Sequence, residues 1–251
     1  MSITTRCYFD FQTWDVHTMM KWTIVMNQWL KRGLPGYCAF CLCSRATESG
    51  WCEECYAQLP WNRVSCEQCA EPLLGAGESR CGHCLVEPPS FTITTAALCY
   101  QEVVSQLVHD FKFQASPRAG QLLVNLMLSQ PPPALGNALL PVPMFPARAK
   151  ERGFNQAYWL AKRLGKSTGM PVLRARCIKQ VPSQRSLNRK ERRRNVSDAF
   201  RMEGGIPEHV TIVDDVVTTG ATGHALAAAA LAQGAKRVDV WAAARTPFQK
   251  S

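Results

Sequence analysis

The chemistry of this chain is concentrated in thirteen consecutive residues, Val210–Thr222, VTIVDDVVTTGAT. An apolar run, Val210–Val213, reads as a strand that ends in two adjacent carboxylates, Asp214 and Asp215. A turn of Thr and Gly follows and opens into a helix. In open α/β sheets, ligands bind beyond the carboxyl ends of the strands. Thr218, Thr219, Gly220, Ala221 and Thr222 can present backbone N–H groups and hydroxyls at a helix N-terminus, where donors and dipole together stabilise a phosphate. Gly220 permits backbone angles and a close approach that a side chain would block. Carboxylates are poor neighbours for phosphate but good acceptors for vicinal hydroxyls. The pattern therefore points to a phosphorylated sugar, with its hydroxyls toward Asp214 and Asp215 and its phosphate in the turn.

This stretch resembles the 5-phosphoribosyl-1-pyrophosphate (PRPP) motif of type I phosphoribosyltransferases. The resemblance implies that Asp214 and Asp215 hold the ribose 2′- and 3′-hydroxyls. It assigns Thr218 to Thr222 to the 5′-phosphate, with Val216 and Val217 inside the PRPP-binding stretch. It also implies Mg²⁺ bound with PRPP and an α/β fold, a parallel sheet flanked by helices. The motif says little about the acceptor.

Two basic segments lie upstream. Leu140–Gln156 (LPVPMFPARAKERGFNQ) leaves an apolar strand through Pro141 and Pro143 and then delivers Arg148, Lys150, Arg152 and Asn155. Arginine forks match phosphate oxygens in a bidentate way, so Arg148, Arg152 and Asn155 are candidate ligands for pyrophosphate or for DNA phosphate. Arg174–Arg194 carries nine Lys or Arg, among them Arg185, Arg189, Arg192 and Arg193, against the single acidic Glu191. Such a run repels itself until an anion arrives. A lid over pyrophosphate, a nucleic-acid patch and a solvated face are all consistent with it. If phosphoribosyl transfer occurs, Asp214, Asp215, Arg152 and Arg192 are the expected catalytic set, acting mainly by electrostatics.

Eight of the twelve cysteines form four CxxC pairs: Cys38/Cys41, Cys52/Cys55, Cys66/Cys69 and Cys81/Cys84. That spacing lets two thiolates of a tight turn grip one tetrahedral Zn²⁺. One or two structural zinc sites are expected, either as two consecutive ribbons or as a cross-braced pair, and Cys43 could substitute in the first. Few apolar residues lie in this segment, so metal must supply much of its folding energy. Residues 38–84 hold six acidic and three basic side chains, which disfavours direct phosphate contact by this module. His83 is expected to be exposed and not a ligand.

Pro141–Pro143, Arg152–Gln156, Gln184–Leu187, Arg192–Asn195 with Phe200, and the Val210–Thr222 motif occur in the order found in the ComF family, which the chain resembles across residues 36–246. That family includes competence proteins of DNA uptake and the enterobacterial GntX proteins. The resemblance implies a phosphoribosyltransferase-like domain behind a double zinc ribbon and a role in handling imported DNA. Its partners would be PRPP or a related phosphoribosyl ligand, single-stranded DNA, and proteins of the uptake machinery. Two functions stay open: transfer to an unknown acceptor with release of pyrophosphate, or binding of PRPP or single-stranded DNA without turnover. Phe154, Tyr158 and Trp159 could stack bases, although aromatics on a helix more often belong to a core.

The elements that must position these groups follow from periodicity. Strands are expected at Phe91–Tyr100, Leu139–Val142, Val172–Leu173, Val210–Val213 and Val238–Ala242. Helices are expected across Val103–Phe111, Arg118–Leu128, Gln156–Lys166 and Gly223–Gln233. The continuous apolar runs suit a parallel sheet covered on both faces. Residues 1–33 read as a poorly defined tail, and the part before Met26 as unstructured or a misplaced start. Residues 34–90 read as the double ribbon, with a linker at Glu87–Ser90, and 91–251 as the phosphoribosyltransferase-like domain. The net charge of +10 fits phosphate-rich partners. Asp10 and Asp15 stand where a secretory signal needs positive charge, and Met19–Leu30 is too short to span a bilayer. With thiols paired for metal, the chain is expected to be cytoplasmic and not membrane-inserted.

Overall fold

The computed structural model describes residues 36–42, 46–73, 75, 77–145, 152–178 and 199–248. They form two compact units divided between Gln58 and Leu59. The first contains one cysteine cluster and a one-turn helix, α1 (Glu53–Ala57). The second contains the other cluster, a short α2 (Gly82–Val86), and all the remaining elements. The division thus falls between the two cysteine clusters, whereas residue spacing places a linker after both. Cys66, Cys69, Cys81 and Cys84 share one buried apolar cluster with Phe91, Ala96, Leu140 and Val240, so the second ribbon packs as part of the sheet's own unit.

The sheet has four parallel strands in the order β1 (Thr94–Cys99), β6 (Arg237–Arg245), β5 (His209–Val217) and β2 (Ala138–Pro141). The two central strands are the apolar runs of the sequence. Val210, Ile212, Val238, Val240 and Ala242 face the cluster shared with the second ribbon and with α6 (Ala221–Ala232). Parallel strands covered on both faces need apolar residues at every position. Helix α4 (Pro117–Ser129) contacts β1, β6, α3 (Glu102–Phe113) and α5 (Gln156–Thr168). Its start follows from Ser116, which accepts a hydrogen bond from the Ala119 N–H, and from proline in the first turn. Helix α5 starts at Asn155 and stops at Gly169, whose φ of +74° closes the helix at low steric cost.

Every helix expected from periodicity is present, each within two or three residues of its reading. Val172 makes only an isolated bridge to Leu139. Inside the basic segment, Arg174–Cys177 (β3) pairs antiparallel with Phe200–Glu203 (β4). Charge density obscures this hairpin in the sequence: Arg174, Arg176, Arg201 and Glu203 occupy its exposed or half-buried positions, while Phe200 and Met202 point inward. Among the described residues no helix is long and apolar enough to cross a membrane.

Candidate functional site

Strand β5 continues to Val217, past the carboxylates, because β6 pairs with it as far as Arg245. The expectation that the strand ends before Asp214 is therefore corrected. Asp214 and Asp215 are consecutive strand residues, so their side chains leave on opposite faces of the sheet. Asp214 lines a cleft of about 360 Å³ with Ile212, Val216, Val240 and, from the turn, Thr218, Gly220, Ala221 and Thr222. Asp215 is buried on the other side, where its Oδ1 lies 3.1 Å from Lys112 Nζ on α3. Lys112 carried no signal as a lone cation in a helix; only the packing of α3 on the sheet makes it the counter-ion of the motif.

The two carboxyls are also tied to the backbone. Asp214 Oδ1 accepts from the Asp215 N–H at 2.9 Å, and Asp215 Oδ1 accepts from the Val216 N–H at 2.7 Å. Burial, and after it the charge of Asp215, push the Asp214 carboxyl up to about 8, while Lys112 pulls it down. The cleft thus holds a carboxyl that keeps its proton to higher pH than an ordinary aspartate.

The turn is open to the cleft. Thr218 and Thr219 are exposed, and Gly220 caps α6 in the left-handed region at φ +76°. A Cβ at Gly220 would meet only the Phe91 ring, at 3.6 Å, so the glycine is needed for its backbone angle. Helix α6 begins two residues earlier than periodicity places it, which puts Ala221 and Thr222 in its first turn. Gly220 offers no side-chain cap, the Ala221 N–H donates to Thr219 Oγ1 at 3.4 Å, and Ala221, Thr222 and Gly223 line the cleft at this helix start.

The upstream groups are brought together in part. Pro141, Pro143, Tyr158, Arg174 and Arg176 line a wider groove of about 950 Å³, so the two basic segments do meet. Arg176 pairs with Glu203 across the hairpin. Arg152 lies 5.2 Å over the exposed Phe113 ring. Asn155, expected on phosphate, is engaged locally: its Oδ1 accepts from the Tyr158 N–H and its Nδ2 donates to the Val142 carbonyl, each at 3.0 Å. Phe154 and Trp159 make edge contacts with Phe111, and the Arg163 guanidinium covers Trp159 at 3.7 Å. Of the three candidate stacking rings only Tyr158 reaches the groove. Arg148, Arg185, Arg189, Arg192, Arg193, Lys150 and Cys43 lie outside the described residues, as does the 1–33 tail.

The cysteines resolve as consecutive ribbons, Cys38/Cys41/Cys52/Cys55 and Cys66/Cys69/Cys81/Cys84, each with its four sulfurs within 4.8 Å of one another. The Sγ–Sγ distances of 3.9 Å for Cys41–Cys52 and 3.6 Å for Cys69–Cys81 match the ~3.8 Å edge of a tetrahedron with zinc–sulfur bonds of ~2.3 Å. Burial and the neighbouring sulfurs push the Cys84 thiol well above its ordinary range. A divalent cation among the four reverses that penalty. His83 is exposed and stacks obliquely on Phe248 at 4.8 Å.

Comparison with known proteins agrees with this arrangement. The double zinc ribbon domain family matches residues 29–85. DNA utilization protein YhgH of Salmonella typhi is 34% identical over 228 residues, covering 85% of this chain and 98% of that protein. Competence protein F of Haemophilus influenzae is 30% identical over 211 residues, covering 79% and 91%. The chain belongs to the ComF family. An adenine phosphoribosyltransferase from Leishmania tarentolae aligns with 61% of this ComF-family chain and 75% of its own, at 14% identity and a TM-score of 0.35, a likeness too distant to decide anything about ligand. Two Cys₄ sites in a double zinc ribbon make the ComF-family chain a zinc-binding protein.

Proposed function

We propose that the chain binds PRPP, or a closely related phosphoribosyl ligand, at the carboxyl end of β5, and that it transfers the phosphoribosyl group to an acceptor with release of pyrophosphate. The observation that carries this reading is the single cleft in which Asp214 faces the exposed Thr218–Thr222 turn. The carboxylate accepts hydrogen bonds from ribose hydroxyls, and the turn and first N–H groups of α6 receive the 5′-phosphate. Asp215, held by Lys112 on the other face of the sheet, fixes the strand end that carries Asp214. Arg148 and Arg152 of the first basic segment, with Arg185, Arg189, Arg192 and Arg193 of the second, supply the positive field for pyrophosphate.

In the transfer, an acceptor lone pair forms a bond to ribose C1 while the bond from C1 to the pyrophosphate oxygen breaks, its electron pair leaving with pyrophosphate. Mg²⁺ bound with PRPP would supply charge neutralisation for the leaving group. The chain's own residues hold the sugar, orient C1 and surround the departing anion with fixed cations. A cytoplasmic setting is part of the proposal, since reduced thiols are needed for both ribbons.

Calorimetric titration of the zinc-loaded chain with PRPP and Mg²⁺ tests the site. Saturable binding is expected, and it should be lost in the double variant Asp214→Ala with Asp215→Ala. Unchanged binding in that variant refutes the assignment. Pyrophosphate release over a panel of bases and amines then separates turnover from binding. A second reading, binding of single-stranded nucleic acid without turnover, is favoured by Arg174 and Tyr158 lining one groove and by the names of the relatives, which refer to DNA utilization and competence. It requires a steep salt dependence that Arg192–Arg194→Ala abolishes.

A further inference from the structure

Arg245, the last residue of β6, is completely buried, and the phosphoribosyl reading gives it no role. Its guanidinium spans two parts of the molecule. Toward the second ribbon, Nε donates to the carbonyl of Cys69 at 3.0 Å, and Nη2 lies 2.8 Å from Glu71 Oε2. Toward the ligand loop, Nη1 donates to the carbonyls of Val217, at 3.1 Å, and of Thr218. It also donates to the Thr246 carbonyl at 2.6 Å, and Phe248 closes one face of the group at 4.6 Å. Glu71 uses its other oxygen to accept from the Phe248 N–H at 2.8 Å. One planar cation thus joins a zinc-ligand residue, its acidic neighbour, and the backbone on which the anion-binding turn is mounted.

A second strut runs parallel to the first. Gln68, between two ribbon cysteines, donates to the Phe91 carbonyl at 3.3 Å. The buried Phe91 ring lies directly under Gly220 and Gly223. Thr94 Oγ1 donates to the Gln68 carbonyl at 2.7 Å and locks the same turn to β1. The ribbon turn Cys66–Glu71 therefore meets the ligand loop from below through Phe91 and from behind through Arg245.

We propose that Arg245 is a positioning residue that couples the second cysteine cluster to the phosphate loop, so that metal held by Cys66, Cys69, Cys81 and Cys84 sets the backbone on which Thr218–Thr222 meets an anion. The physical basis is the fork of the guanidinium. A planar cation buried with five donors needs a fixed set of acceptors, and two of those acceptors move if the ribbon turn opens. Loss of metal leaves the Cys69 carbonyl and Glu71 free to shift, and the Val217 and Thr218 carbonyls lose their anchor. This rests on the reading of Thr218–Thr222 as a phosphate loop, while the coupling itself can be measured without any ligand.

The test is hydrogen–deuterium exchange of the full chain, followed at residues 216–224, with zinc bound and after chelation. Removal of zinc should speed exchange there by about tenfold or more. In Arg245→Lys, which keeps the charge but not the fork, exchange at 216–224 should be fast already and respond little to chelation. The proposal is overturned if chelation opens residues 62–86 and leaves 216–224 protected, or if Arg245→Lys keeps wild-type protection. Asp239→Asn, which breaks a buried pair with His209 and Arg237 near the opposite end of β6, controls for general loosening. An equal rise at 216–224 in that variant also overturns the coupling. If Arg245→Lys fails to fold, Glu71→Gln serves in its place, with an intermediate rise expected and no rise refuting. Ribose 5-phosphate added to zinc-loaded wild type separates the two claims. Absence of binding removes the phosphoribosyl reading, and the exchange result still decides the coupling.

Discussion

Proton linkage at Asp214 offers the sharpest quantitative check on the ligand site. Its carboxyl is raised from an ordinary 3.8 to about 8 by burial and by Asp215, and the ionised form is the stronger acceptor for ribose hydroxyls. With the group titrating near that value, its ionised fraction rises steeply between pH 6.5 and 8.5, so affinity should rise about tenfold or more across that window. A phosphomonoester has its second pKa near ~6, which keeps the ligand's own titration largely below this window. The assay is calorimetric titration with ribose 5-phosphate at half-unit pH steps, in two buffers of different ionisation enthalpy to count the protons released. Asp214→Asn should bind weakly with a nearly flat profile, which separates this carboxyl from His224 in the first turns of α6. A flat wild-type profile, or the same slope in Asp214→Asn, refutes the account. The sign for stability runs the same way. Because the folded value lies above the ordinary one, stability contributed by the neutral form is present at low pH and lost as pH rises from about 4 toward 8, so Asp214→Asn should raise Tm by several degrees at pH 8.

Lys112→Met leaves the Asp215 carboxylate buried without its cation and should cost about 3 kcal/mol in urea unfolding; Lys112→Met with Asp215→Asn should recover most of that. The single variant also removes the charge that holds Asp214 down, so the binding profile should move to higher pH. Gly220→Ala has room beside Phe91 but must adopt a left-handed φ, an expected loss of about 1–2 kcal/mol by thermal unfolding. Gly136→Ala would place its Cβ 2.8 Å from the His209 carbonyl oxygen, backbone that cannot yield, and should fold poorly or not at all. Native mass spectrometry should find two zinc ions per chain and elemental analysis should agree; thiol titration should expose eight cysteines only after chelation and unfolding, and disulfides in their place would refute the ribbons.

Much of the site was legible because its chemistry is local. Thr218–Thr222 is a contiguous turn at a helix start, and four CxxC pairs announce metal whatever surrounds them. The parallel sheet was legible too, because strands covered on both faces become unbroken apolar runs such as Val238–Ala242. The β3–β4 hairpin was not, since its outward residues are the charges of a run that reads as irregular. Asn155 shows what residue type leaves open: it lines the groove with Tyr158 and Arg174, and there its amide also ties the helix start to Val142 and Tyr158.

By itself, then, the order of residues determined the parallel α/β class, the Thr/Gly turn that opens a helix after β5 and eight metal-binding thiols, because each depends on neighbours within a few positions along the chain. Only the tertiary structure decided that Asp214 and Asp215 serve opposite faces, that Lys112 is the partner of one of them, that the cysteines close as consecutive ribbons, and that Arg245 joins the second ribbon to the turn. The cysteine closure joins pairs about eleven positions apart that spacing could combine in two ways. The other three depend on how far β6 pairs along β5 and on contacts between residues up to 176 positions apart, where spacing in a sequence carries no signal.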